Sequence, residues 1–417
     1  MGGKAVVVGA GIVGLAAAIG LHRTGWEVTV LERAAVLEDA GAGISLHANG
    51  IRALDALGVG AAVRQTGRFQ YSGGTRTPDG RWLSRMDGRA LERAVGVPIT
   101  GIARAELHAL LRAALPASAV LVGRTADRID TDPAPGGPGR RAVVHCGTES
   151  RPADLVVAAD GLRSRTRSSL FPAHPGPAYS GSTVLRAITA EPVAAEGDFT
   201  LFWGPGAEFG HILLRDGRAE WHAVLNSPPG IRHAAPLDVL RRRFASWHPS
   251  VGELLAATRP EDVLHHDMLE LVEPLPSFVA GRVALIGDAA HAMTPNLGQG
   301  ACQGLEDAVT LAAELAAGPD IDAALARYDA VRRPRTQAVA LAARRAGRLG
   351  QQLANPLALA VRNTALRLAP SAATVRAILR HADWTPPELP GGAGPGVPYG
   401  SYSERSSTAG DSTQSAT

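Results

Sequence analysis

The chain has 417 residues, 45% of them apolar and 19% charged, with a formal net charge of +3. This is the composition of an ordinary globular protein with room for two or three domains, and its only cysteines, Cys146 and Cys302, exclude a disulfide framework or a zinc site. The basic residues are dispersed apart from Arg241-Arg242-Arg243 and Arg332-Arg333, which argues against nucleic acid as a partner; no run approaches the roughly 18 uncharged apolar residues of a membrane span and no secretory signal is visible, so a cytoplasmic location without stable membrane insertion is expected.

Lys4 to Val8 is a short β-branched run followed at once by Gly9-Ala10-Gly11-Ile12-Val13-Gly14 and an alanine-rich helical stretch to about Arg23. A second apolar run, Val28 to Leu31, ends in Glu32. The pattern assigns Gly9 to a tight turn, Gly11 to close approach of a pyrophosphate, Gly14 to helix–strand packing and Glu32 to a ribose hydroxyl, the fingerprint of an adenine dinucleotide site. Arg33 covers the adenine or is a plain surface charge. Gly41 to Gly50, with Ser45 and His47, leads into a helix from Ile51 to Leu57, and its glycines place backbone close to the far end of the ligand.

Phe69 to Leu91 reads as a hairpin or small sheet, and Ile102 to Leu115 as a helix with Arg104 in its first turn. Strands are expected at Val120 to Val122, Ala142 to His145 and Leu155 to Ala159, with a mobile loop from Asp132 to Gly139 that carries no chemistry. Asp160-Gly161 closes the last of these strands, where open α/β sheets bind ligands. From about Tyr179 to Leu275 the pattern changes to alternating strands (Thr183 to Ile188, Phe199 to Trp203, His211 to Leu214, Glu220 to Leu225), as in an antiparallel sheet that covers a substrate.

The stretch Gly281 to Ala308 then gives a buried strand (Val283 to Ile286), a turn with Asp288, a loop with Pro295, Gly298 and Gly300, and a helix from near Gly300 to about Ala317. Helical segments continue to about His381, and a Gly/Pro/Ser/Thr-rich tail, expected to be disordered, begins at Pro386. His265-His266 beside Asp267 lacks further ligands, so no metal site is read there.

Gly9/Gly11/Gly14, Asp160-Gly161, and Gly287-Asp288 leading into Pro295 and the glycine loop resemble, in this order, the single-component FAD-dependent aromatic hydroxylases, of the para-hydroxybenzoate and salicylate hydroxylase kind. The resemblance covers roughly residues 4 to 345. It implies an α/β fold: a Rossmann-like FAD-binding domain (1–178 and 276–345), an antiparallel β-sheet substrate domain (179–275, joined by 68–100), a C-terminal helical segment (346–385) and a tail (386–417). It also implies tightly bound FAD and a transient NADPH or NADH without a Rossmann domain of its own. The implied activity is a monooxygenase, hydroxylase or epoxidase, that uses O2 through a flavin C4a-hydroperoxide on an aromatic, heteroaromatic, indolic or polyketide-like molecule.

On the resemblance, Glu32, Gly11, Gly14, Ser45, Arg104, Asp160 and Asp288 contact FAD, and Gly298, Gly300 and Ala301 flank the isoalloxazine with Pro295. His47 faces flavin and substrate, as a base that deprotonates a phenol or N–H or as a histidine that only packs. Trp203, His211 and Trp221 line the opposite wall or are plain core. His291 is read as structural and Cys302 as packed, with a reservation because it lies in the glycine loop. A monomer or homodimer is expected. The competing classes are a flavin oxidase or dehydrogenase acting by hydride removal and a non-catalytic FAD-binding protein; a flavin halogenase is disfavoured because no Trp-x-Trp-x-Ile-Pro segment is present.

Overall fold

The strand Lys4–Val8 is buried along four consecutive residues. A continuous apolar run, without alternation, suits a parallel strand covered on both faces. The computed structural model describes residues 2–37, 42–131 and 141–390. In it this strand lies inside a six-stranded sheet, ordered Val279–Ala280, Val283–Leu285, Leu155–Ala158, Lys4–Val8, Glu27–Leu31, Val120–Leu121. Its pairs are parallel, with Val6 opposite both Val156 and Thr29, except for the antiparallel edge Val279–Ala280. The helix Ile12–Arg23 crosses from the first strand to the second, and Gly20 lets it sit against the helix Gly300–Ala316, because a Cβ there would come within 2.9 Å of Ala312 Cβ.

A second sheet of seven strands runs Leu264–Glu270, Ala178–Ile188, Ala219–Asn226, Ala207–Leu213, Phe199–Gly204, Ser72–Arg76, Trp82–Asp87. It is antiparallel apart from the parallel pair Phe199–Gly204 with Ser72–Arg76. Its two faces have different partners. Leu185, Phe202, Phe209 and Trp221 share one apolar cluster with Leu240, Val251 and Leu254 of the helices Pro236–Arg243 and Pro249–Ala256 and with Phe244, which caps the first of them. Since successive residues of a strand point to opposite faces, Trp203, Glu208, Ile212, Glu220 and His222 point away from those helices.

A small sheet of Gly43–Leu46, Ile99–Ala103 and Arg68–Gln70 lies between the two. The stretch expected as a helix from Ile102 begins as strand, because Ile99–Ala103 is buried on both faces and the chain turns only where Arg104 N–H donates to Ala42 O at 3.0 Å. The helix expected from Ile51 starts earlier, at Ala48. Leu264–Glu270 and the two helices of residues 236–256 were not anticipated. At the C-terminal end, Ile321–Leu349, Pro356–Leu368 and Ser371–Ala382 are helices. The expected loop Asp132 to Gly139 and the tail from residue 391 lie outside the described residues. No helix among the described residues is long and apolar enough to cross a membrane.

Candidate active site

The fingerprint turns at Gly9, whose φ of +103° is the left-handed region that glycine enters without penalty. A Cβ on Gly14 would lie 2.0 Å from Gly9 O, so the contact of helix and turn admits glycine alone. Gly11 differs: among the described residues nothing lies within 4 Å of its Cβ position, and its backbone borders open space at the N-terminus of the helix Ile12–Arg23. That helix end is suited to an anion. The intervening Ala10 peptide is held from both sides, its N–H donating to Glu32 Oε2 at 2.9 Å and its carbonyl accepting from His108 Nε2 at 2.7 Å. The other Glu32 oxygen accepts from Ala34 N–H at 2.9 Å, which sets the carboxylate at the mouth of the turn. Arg33 beside it is exposed.

Asp160 accepts from the Ser164 hydroxyl at 2.6 Å and from Thr166 N–H at 3.1 Å. Ser164 in turn caps the helix Arg165–Leu170, whose buried Arg167 donates to Leu162 O at 2.8 Å and Ala289 O at 3.1 Å. The Asp160 turn is thereby pinned to the short helix Asp288–His291. Asp288 stands exposed at that helix's first position.

Beneath the glycine loop lies a set of buried charges. Asp307 accepts from Gly287 N–H at 2.9 Å and Arg332 Nε at 2.7 Å, and pairs with His291 Nε2 at 2.5 Å. Burial alone would raise the Asp307 carboxyl, but the charges of His291 and Arg332 hold it below the usual range. Glu306 bonds Arg332, Arg335 at 2.7 Å, and Asn49 Nδ2 at 2.7 Å. Asn49 donates also to Gln299 Oε1 at 2.8 Å, so the turn after His47 is tied to the entrance of the helix Gly300–Ala316. His291, read from sequence as structural, lies buried against Asp307 in this set. Cys302 packs under Gly50, and burial pushes its thiol up to about 12, which leaves it unreactive.

Gly298 adopts φ +62°, and a Cβ on it would come within 3.0 Å of His47 Nε2. His47 Nδ1 is buried without a hydrogen-bond partner among the described residues. Burial first, then the nearby His381 charge, lowers this imidazole to about 4, so it is neutral at pH 7 and does not have the near-neutral value expected of a proton-abstracting base. Gly43 packs against the seven-stranded sheet, where a Cβ on it would lie 2.8 Å from Glu220 Cβ and 3.2 Å from Ile212 Cδ1, whereas Ser45 Oγ meets the Gln70 amide of the small sheet at 3.4 Å.

The sheet face opposite is polar. His222 lies 3.4 Å from Glu208 and 3.8 Å from Glu220, Trp203 Nε1 donates to Glu208 at 2.5 Å, and Arg186 donates to Glu220 at 2.9 Å and to Gly43 O at 2.7 Å. Burial would lower His222, yet the Glu208 and Glu220 carboxylates beside it raise it to about 9. Its side chain stays 23% accessible, so this imidazolium borders open space.

A family model described as "FAD binding domain" matches residues 3–343. The aurachin C monooxygenase/isomerase of Stigmatella aurantiaca is 34% identical over 383 residues, 91% of this chain and 98% of that protein. The chain belongs to the FAD-dependent aromatic hydroxylase family. The 3-amino-4-hydroxybenzoate 2-monooxygenase of Streptomyces cremeus is 36% identical over 361 residues, 85% of this chain and 88% of the relative. HpxO of Klebsiella pneumoniae, solved with FAD and uric acid, superimposes with a TM-score of 0.84 at 28% identity, covering 91% of this chain and 96% of that one.

In this hydroxylase, Gly9, Gly11, Gly14 and Glu32 meet at one turn, and the Asp160 and Asp288 turns are linked through Arg167. Arg104 opens its helix beside Ala42, and Gly300 and Ala301 form the first turn of the helix that follows exposed Pro295. Trp203 faces the polar side of the sheet. His211 and Trp221, expected beside it, do not: they are cross-strand partners on the face toward the helices 236–256. Trp221 is fully buried, stacked on Phe209 at 5.6 Å, with its Nε1 donating to Thr258 Oγ1. Burial lowers His211 to about 4, and neither ring nitrogen has a hydrogen-bond partner among the described residues.

Sequence reasoning passed over His108, Arg167, Glu208, Glu220, His222 and the Glu306/Asp307/Arg332 set. Only the last carried a signal, since adjacent carboxylates in an otherwise apolar helix require buried cations.

Proposed function

We propose that the chain is an FAD- and NAD(P)H-dependent monooxygenase that places one oxygen atom of O2 on a small aromatic or heteroaromatic molecule with an ionisable hydroxyl or ring N–H. The second oxygen leaves as water, and NAD(P)H supplies the two electrons. The observation that carries this reading is the packing of Gly43, on the strand that leads into a neutral His47 beside the Gly298 backbone, against Glu220 of the His222–Glu208–Glu220 wall.

The residues present fit the cofactor. Open space at Gly11 and the helix end behind it suit a pyrophosphate, Glu32 suits a ribose hydroxyl, and exposed Asp288 suits the ribityl side. Arg104, Ser45 and Asp160 are assigned to the same ligand, and Gly298, Gly300 and Ala301 to the ring edge. When bound, FAD supplies the electron transfer and oxygen activation that no side chain can. The chain's own part is to hold the ring against the Pro295–Ala301 backbone, to exclude water, and to orient the substrate. His47 is assigned to the substrate side of the ring as a neutral imidazole, and the sheet wall anchors the substrate's polar edge.

A panel of aminohydroxybenzoates, purines, quinolines and indoles, scored by stimulated NAD(P)H oxidation and by product mass under 18O2, tests this. One labelled oxygen per turnover is expected. Substrate oxidation that needs no external reductant would replace the reading with a flavin oxidase, and a bound flavin that neither nicotinamide reduces would indicate a non-catalytic protein.

A further inference from the structure

From Ala330 to Ala382 the chain carries ten arginines and no aspartate, glutamate or lysine. The sequence-level impression of dispersed charge therefore fails for its C-terminal part. Several of these arginines are used internally: Arg332 and Arg335 bind Glu306, Arg333 binds Asp329, Arg344 binds Glu270, and Arg362 holds Leu349 O and Gly350 O at 3.2 and 3.0 Å. Arg345, Arg348, Arg367, Arg376 and Arg380 remain exposed, with no acidic partner among the described residues.

The same region leaves an apolar helix face without a partner among the described residues. Leu357, Val361 and Leu368 of Pro356–Leu368 are 79%, 71% and 79% exposed, and their spacing puts them on one side of the helix, opposite the buried Arg362. Leu349, 63% exposed, adjoins this helix at the junction that Arg362 ties. An aliphatic stripe of this kind marks a contact surface. A second copy laid symmetrically on the stripe would bring these arginines against themselves, an unfavourable arrangement. An anionic lipid surface complements both features, taking the aliphatic side chains into its interface and the guanidinium groups against its headgroups.

We propose that the helix Pro356–Leu368 and the exposed arginines around it dock the enzyme peripherally on an anionic membrane surface. The FAD-loaded full chain should cosediment with vesicles of equal parts phosphatidylcholine and phosphatidylglycerol, not with phosphatidylcholine alone, and high salt should weaken the binding. Leu357→Glu with Val361→Glu, and separately Arg345→Glu with Arg348→Glu, should each lower partitioning by roughly tenfold or more, while FAD content and stimulated NAD(P)H oxidation in solution stay unchanged. No binding of the parent protein to anionic vesicles overturns the proposal. So does a dimer, seen by light scattering, that the Leu357/Val361 variant dissociates, because the stripe is then a protein interface.

Discussion

Arg332 donates its Nε–H to Asp307 Oδ1 at 2.7 Å, and both side chains are wholly shielded from solvent. The other Asp307 oxygen accepts from Gly287 N–H, so a buried ion pair fixes the loop that presents Asp288. Arg332→Leu removes the buried cation that Asp307 and Glu306 share and should cost about 3–5 kcal/mol in chemical denaturation. Asp307 has a lowered folded pKa, with burial opposing and His291 and Arg332 prevailing. Its contribution is therefore in place above the unfolded carboxylate range, near pH ~4, and is lost as pH falls through the lower folded value. Asp307→Asn should be less stable at neutral pH and lose less on acidification.

Gly11 and Gly14 separate ligand space from packing. Gly11→Ala adds a methyl where nothing among the described residues lies within 4 Å, so the apo protein should keep its melting temperature while FAD affinity falls at least ~10-fold, since the pyrophosphate site is filled. Gly14→Ala drives a methyl into Gly9 O and should destabilise the apo protein itself. Equal flavin loss with equal melting shifts in both variants would falsify the division of roles.

Asp288→Ala should purify with substoichiometric FAD, read as the ratio of flavin to protein absorbance, because the carboxylate stands exposed at the helix entrance with its turn held by Arg167. A yellow, fully loaded variant would remove Asp288 from the cofactor site.

His47→Ala should lower product formation by about 10- to 100-fold with little change in FAD content, as expected for loss of a positioned hydrogen-bonding group. With its pKa lowered to about 4, His47 should add no inflection to the pH–rate profile between pH 5 and 8. A limb near pH 6.5 that disappears in the variant would show that His47 does titrate during turnover.

His222 and His211 should influence acid–base stability in opposite directions. His222 is raised to about 9, so its stabilisation is full below the unfolded value near pH ~6.5 and is lost as pH rises through about 9. His211 is lowered to about 4, so the unfolded chain binds a proton that the folded one refuses, and stability falls from pH ~6.5 toward 4. Denaturant midpoints across pH 4–10 should show His222→Gln flattening the alkaline limb and His211→Leu the acid limb. Of the two, only His222→Gln should also raise the substrate KM.

Linear spacing alone determined the parts of this protein that depend on neighbours along the chain. The buried first strand, the Gly9–Gly14 turn, Glu32 at the second strand's end, and the order of Asp160, Asp288 and the glycine loop are local patterns set by backbone conformation, and they name the family's motifs. Tertiary structure decided whatever depends on which face of an element points where. Trp203 and Trp221 occur in similar alternating strands, yet one faces Glu208 and the other is core, because helices 236–256, distant in sequence, cover a single side of the sheet. His222 is an imidazolium because strand pairing brings Glu208 and Glu220 to it, and His47 is neutral because the folded chain buries it. Charge state in a protein interior is set by through-space partners and desolvation, and neither is written in the spacing of a sequence.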